Sequence, residues 1–128
     1  SHKSVLITAI LTGMIFFAGC SRGEETLTKE EHYPDGVLKS KTGYVVRDGQ
    51  EILWGETVEY YPSGQVSLRC VYGNGKRHGK FESFYENGKP QASGEFAFGR
   101  REGKWTEWDE DGKETVRTYT NGKDDALP

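Results

Sequence analysis

The chain repeats itself with a step of 24 residues. Tyr61-Pro-Ser-Gly64, Tyr85-Glu-Asn-Gly88 and Asp109-Glu-Asp-Gly112 open successive blocks, and Tyr33-Pro-Asp-Gly36 opens an earlier one, 28 residues before the second. A second glycine recurs inside the blocks at Gly49, Gly75, Gly99 and Gly122, and a third at Gly55, Gly79 and Gly103. Matched strings follow that third glycine: Gly79-Lys-Phe-Glu-Ser-Phe84 against Gly103-Lys-Trp-Thr-Glu-Trp108, with Gly55-Glu-Thr-Val-Glu-Tyr60 as a degenerate first copy. A period this short identifies one supersecondary unit that buries its apolar side only by stacking on its neighbours.

That unit is a β-hairpin. Asn87-Gly88, Asp111-Gly112 and Asn121-Gly122 are residue pairs that accept the positive φ angles of tight turns. Gly36, Gly64, Gly88 and Gly112 therefore stand as structural turn residues. Between turns the residues alternate and are rich in Val, Thr, Tyr, Phe and Trp, with no helical period of useful length. Strands are expected at 37–46, 56–62, 65–73, 80–86, 89–98, 104–110 and 113–120, all antiparallel neighbours in one meander. The polar stretch Ser21 to Glu31 reads as a tether.

At Gly79-Lys-Phe-Glu-Ser-Phe-Tyr-Glu-Asn-Gly88 and Gly103-Lys-Trp-Thr-Glu-Trp-Asp-Glu-Asp-Gly112 the chain resembles MORN-type repeats. More closely, it is similar to the bacterial MORN-variant proteins often labelled as antitoxins of toxin–antitoxin systems. The resemblance spans about residues 33–123. It implies an all-β, single-sheet hairpin array used for contact with proteins or membrane lipid, and it brings no catalytic residues with it. The first block departs from the pattern by four extra residues, with Trp54 inside its loop.

The N-terminal end reads as an export signal. Lys3 precedes an almost uninterrupted apolar stretch of 13 residues, Val5 to Phe17, too short to span a bilayer, which takes about 20. Phe17-Ala18-Gly19-Cys20 then resembles a lipobox, with Phe17 where Leu is usual and Cys20 as the lipid attachment site. The expected organisation is a signal peptide over 1–19, a lipidated N-terminus and tether over 20–32, the repeat domain over 33–123 and a tail over 124–128. An exported, membrane-anchored lipoprotein follows, and Ser21 after the cysteine resembles an outer-membrane sorting signal for a Gram-negative host. Removing residues 1–19 leaves 16 basic against 20 acidic residues, net −4, which argues against a nucleic-acid partner. Cys70 is then a lone thiol, sharing a strand face with Val66, Leu68 and Tyr72, and reads as a small buried hydrophobe.

Nothing in the chain spells an enzyme. His32 and His78 lie far from any ligand-spaced cysteine or carboxylate pair, and no HExxH, GxSxG or phosphate loop is present. No catalytic residue, metal or cofactor is therefore assigned. The aromatic residues carry more information. Phe81, Phe84 and Tyr85 recur as Trp105, Trp108 and Asp109, and Phe81 and Phe84, three apart, fall on opposite faces of a strand. Charge follows the repeat too. Lys76, Arg77, His78 and Lys80, then Arg100, Arg101 and Lys104, gather before the third glycine, whereas Asp35, Glu86, Asp109, Glu110 and Asp111 occupy the opposite turns. The expected binding residues are Arg77, His78, Arg100, Arg101, Tyr61, Tyr85, Trp105 and Trp108. The expected partner is a protein or an anionic envelope component. Alternatives are a cell-wall glycan or polymer held by the aromatic rows, and an immunity role against a toxin.

Overall fold

A computed structural model describes residues 8–10 and 24–128. Cys20 lies outside the described residues, whereas Thr8–Ile10, within the expected signal peptide, form a strand paired with Thr28–Glu30. Among the described residues ten strands form one antiparallel sheet whose spatial order is the sequence order. They are β1 (Thr8–Ile10), β2 (Leu27–His32), β3 (Leu38–Arg47), β4 (Gln50–Tyr60) and β5 (Val66–Gly73), then β6 (Lys76–Phe84), β7 (Pro90–Ala97), β8 (Arg100–Trp108), β9 (Glu114–Thr120) and β10 (Lys123–Asp124). All seven expected strands are present, within a meander of consecutive hairpins.

The two edges of the sheet use different turns. Along one edge Gly36, Gly64, Gly88 and Gly112 take φ angles of 84° to 91°. Each of these glycines donates its N–H to the residue three back, as Gly88 does to the Tyr85 carbonyl at 2.9 Å. This is a type I turn closed by a left-handed glycine, a common three-residue hairpin loop. Asn87 and Asp111 were expected to share the positive φ, but only the glycines have it. Along the other edge two consecutive residues are left-handed: Asp48-Gly49, Asn74-Gly75, Phe98-Gly99 and Asn121-Gly122. These are two-residue type I′ turns, whose twist matches that of the flanking strands.

The third glycine of each block is not a strand start but a bulge inside a strand. Cys70 faces Phe81 and Tyr72 faces Arg77, so β6 advances four residues while β5 advances two, and Gly79 lies in the excess at φ +116. The shifts opposite Gly55 and Gly103 are of the same kind. Such bulges bend a strand and increase its twist. They also move the strand starts, so β4, β6 and β8 begin at Gln50, Lys76 and Arg100, earlier than the alternation suggested. The bend carries each type I′ tip back onto the preceding hairpin, where Gly75, Gly99 and Gly122 donate to the carbonyls of Leu53, Arg77 and Arg101.

Two further departures concern the first block. Leu27–His32, read as tether, is strand β2, paired with β3 along its length. Pairing with β1 on one side and β3 on the other orders a segment whose polar residues made it look unstructured, and Lys29 stacks its ammonium 5.2 Å from the Tyr44 ring. The four extra residues are not a loop. They lengthen β3 to 10 residues against 8 in β5, and β4 to 11 against 9 in β6, leaving the turn unchanged. At the other end of the chain, β10 adds a short strand beyond those expected.

The core is thin because a single sheet has no second layer to cover it. Cys70, Phe81 and Trp105 form its buried centre, with Leu68, Tyr72, Ala92, Phe96 and Tyr119 packed around them. Cys70 is a buried free thiol, as its alternation with apolar neighbours suggested, and burial pushes its ionisation above the ordinary thiol range.

Candidate binding face

The strand starts at Lys76 and Arg100 decide where the next residue points. Arg77 and Arg101 are the second residues of β6 and β8, so their side chains lie on the aromatic side of the sheet rather than at loop tips. The Arg77 guanidinium rests 5.2 Å from the Phe81 ring and 5.5 Å from Phe96. Arg101 rests 4.3 Å from Trp105 and 5.3 Å from Tyr119. Phe81, Phe96 and Trp105 meet one another at centroid distances of 5.1 to 5.4 Å. Arginine and aromatic ring therefore alternate along this face, each cation held by a ring quadrupole.

Arg101 is bound further. It donates to Glu107 at 2.8 Å and to the Tyr119 hydroxyl at 3.2 Å. Burial works against its charge, but these bonds outweigh it and raise its pKa above the ordinary guanidinium value. Beside the pair lies an open pocket of about 380 Å³, lined also by Phe81, Ser83, Tyr85, Ala92 and Trp108. On the opposite side of the sheet a smaller hollow of about 200 Å³ is lined mainly by Glu56, Arg69, Lys80 and Glu82.

Of the eight residues expected to bind, the pocket brings together Tyr85, Arg101 and Trp108. Arg77 lies one hairpin away on the same face. His78 and Arg100 stand exposed at the type I′ edge. Two expectations are corrected by burial and bonding. Trp105 is only 1 % exposed, its indole laid over Gly94 and its Nε1 donating to the Glu95 carbonyl at 3.0 Å, so it is core. Tyr61 donates its hydroxyl to the Phe84 carbonyl at 2.7 Å, and Tyr85 does the same to Trp108. Both rings are half-buried, and these hydroxyls serve the fold.

Two residues were missed. Glu107 looked like one more solvated carboxylate, because an ion pair across six residues leaves no mark in a sequence. Phe98 could have been found. It precedes Gly99 where Asp48, Asn74 and Asn121 precede the equivalent glycines, so one aromatic ring breaks a polar column.

Residues 55–76, 77–97 and 101–113 each match the family model of the MORN repeat variant, and each match begins within two residues of a bulge glycine. Three repeats of the array are of the MORN-variant type. Repeats of this kind generally serve as binding modules. No curated protein and no solved structure matches the chain.

Proposed function

We propose that the protein is an exported lipoprotein, anchored through Cys20, whose MORN-variant repeats hold a protein or another envelope component without catalysis. The observation that carries the binding half is the pocket beside Arg101, where Tyr85 and Trp108 offer ring surface next to a fixed Arg101–Glu107 pair. Aromatic side chains with a polar handle supply large contact area at low entropic cost, which is why they concentrate at interfaces. The anchoring half rests on Ala18-Gly19-Cys20 behind an apolar run.

A second occupant has an observation of its own. Glu107 compensates the Arg101 charge, so the pocket joins aromatic walls to hydrogen-bonding groups with no net charge beside it. That combination suits a neutral sugar unit of an envelope glycan.

One experiment addresses both halves. Full-length protein carrying an affinity tag is recovered from an envelope fraction, beside Cys20→Ala and Trp108→Ala variants. The wild type should partition with detergent, since each buried lipid CH₂ contributes about 0.8 kcal/mol, and Cys20→Ala should not. Trp108→Ala should keep the membrane but release the bound component. A component that resists protease treatment is glycan, and one that does not is protein. Recovery unchanged by Trp108→Ala would remove this face from consideration.

A further inference from the structure

Phe98 is placed at a cost that burial does not repay. Its φ of +51° is left-handed, a conformation that a bulky side chain avoids and that Asn and Asp accept. The three equivalent turns carry Asp48, Asn74 and Asn121 at φ 50° to 51°. Yet Phe98 is 77 % exposed, so its ring contributes little burial in return. The ring is nevertheless fixed. It lies 4.9 Å from the His78 imidazole, and the Phe98 N–H donates to His78 Nδ1 at 3.1 Å. Strain retained at an exposed, oriented aromatic residue marks a functional position.

The neighbours say what this ring meets. Lys76 packs its stem on Gly99, and Arg100 packs its stem on Gly122, so the two cations flank the Phe98 turn on either side. Both are exposed, and neither forms an ion pair among the described residues. Arg100 bonds only the neutral Asn121 side chain, at 3.0 Å. The same edge also carries carboxylates, Asp48 and Glu102, the latter receiving the Asn121 N–H at 2.8 Å. Cations and carboxylates are thus mixed along this edge, a pattern that a uniformly anionic bilayer surface does not match. A folded or extended polypeptide can set an acid against each cation and leave the others alone.

We infer that the Phe98 turn is a docking knob for an acidic polypeptide, whose apolar socket takes the ring while its carboxylates pair with Lys76 and Arg100. The inference rests on the reading of the chain as a binding module, but it assigns a surface separate from the pocket beside Arg101. The test begins with a random peptide library displayed on phage and selected on the full-length protein. Enriched peptides should carry a large apolar residue beside two or more Asp or Glu. Phe98→Asn, which restores the residue type of the sister turns, should raise the melting temperature by about 3 °C or more while weakening the selected peptide at least tenfold. Lys76→Glu with Arg100→Glu should weaken it similarly, more so at low salt. Peptides without acidic character, or affinity indifferent to Phe98→Asn, would overturn the inference. So would binding of the Cys20→Ala chain to phosphatidylglycerol-containing vesicles that is lost in Phe98→Asn. Loss of the peptide in Trp108→Ala but not in Phe98→Asn would return recognition to the aromatic face and end the case for the knob.

Discussion

Gly94 has no room for a side chain. A Cβ there would overlap the indole of Trp105, which lies flat across the backbone of β7. The other rings of the row solve the same problem differently: Phe81 faces Cys70 on β5, 24 residues before Gly94, where a small thiol fits beneath the smaller ring. Size at this column is therefore matched to the ring above it. Gly94→Ala should force the indole out of the core and destabilise the protein by about 1–3 kcal/mol or more, as overpacking does. Thermal unfolding measures this, and an unchanged midpoint would mean that the indole has another resting place. The effect should exceed that of Cys70→Ala, which removes one buried sulfur and adds no clash.

At the level of strands and turns, the repeats are tied by a hydroxyl ladder. Tyr33, Tyr61 and Tyr85, each the first residue of its turn, donate to the carbonyls of Tyr60, Phe84 and Trp108, the last residues of the next even-numbered strands. Every rung satisfies a carbonyl that would otherwise face the gap between turns. Tyr61→Phe and Tyr85→Phe should each cost about 1 kcal/mol, with the rings kept in place, and the pair together about twice that. Urea unfolding of the three variants is the check. The ladder also shows what could be read from the residues alone. The turn glycines, the strand alternation and the 24-residue step were all legible, because each is a local demand on backbone conformation. The bulges at Gly55, Gly79 and Gly103 were not, since a left-handed glycine within a strand and one in a turn look alike in a sequence. That single ambiguity displaced Arg77 and Arg101 from loop tips to the aromatic face.

Across the whole molecule, cover is uneven. Buried residues run from Tyr44 and Val45 on β3 to Trp105 on β8, whereas β9 is exposed at every position but Tyr119 and is followed by two-residue β10. Hydrogen exchange should follow this gradient, with amides of β6 protected on the order of tenfold or more beyond those of β9. Uniform protection would imply that the sheet opens as one unit. The same gradient gives meaning to the residue that begins the fourth turn. Asp109 stands where Tyr33, Tyr61 and Tyr85 stand, and its carboxylate turns inward to receive the N–H groups of Asp111 and Lys113 at 3.0 and 2.8 Å. A tyrosine at this position reaches forward and ties its turn to the next hairpin, while an aspartate closes on its own turn. The ladder is thus a row of handholds between neighbours, and at Asp109 the hand folds back on its own wrist.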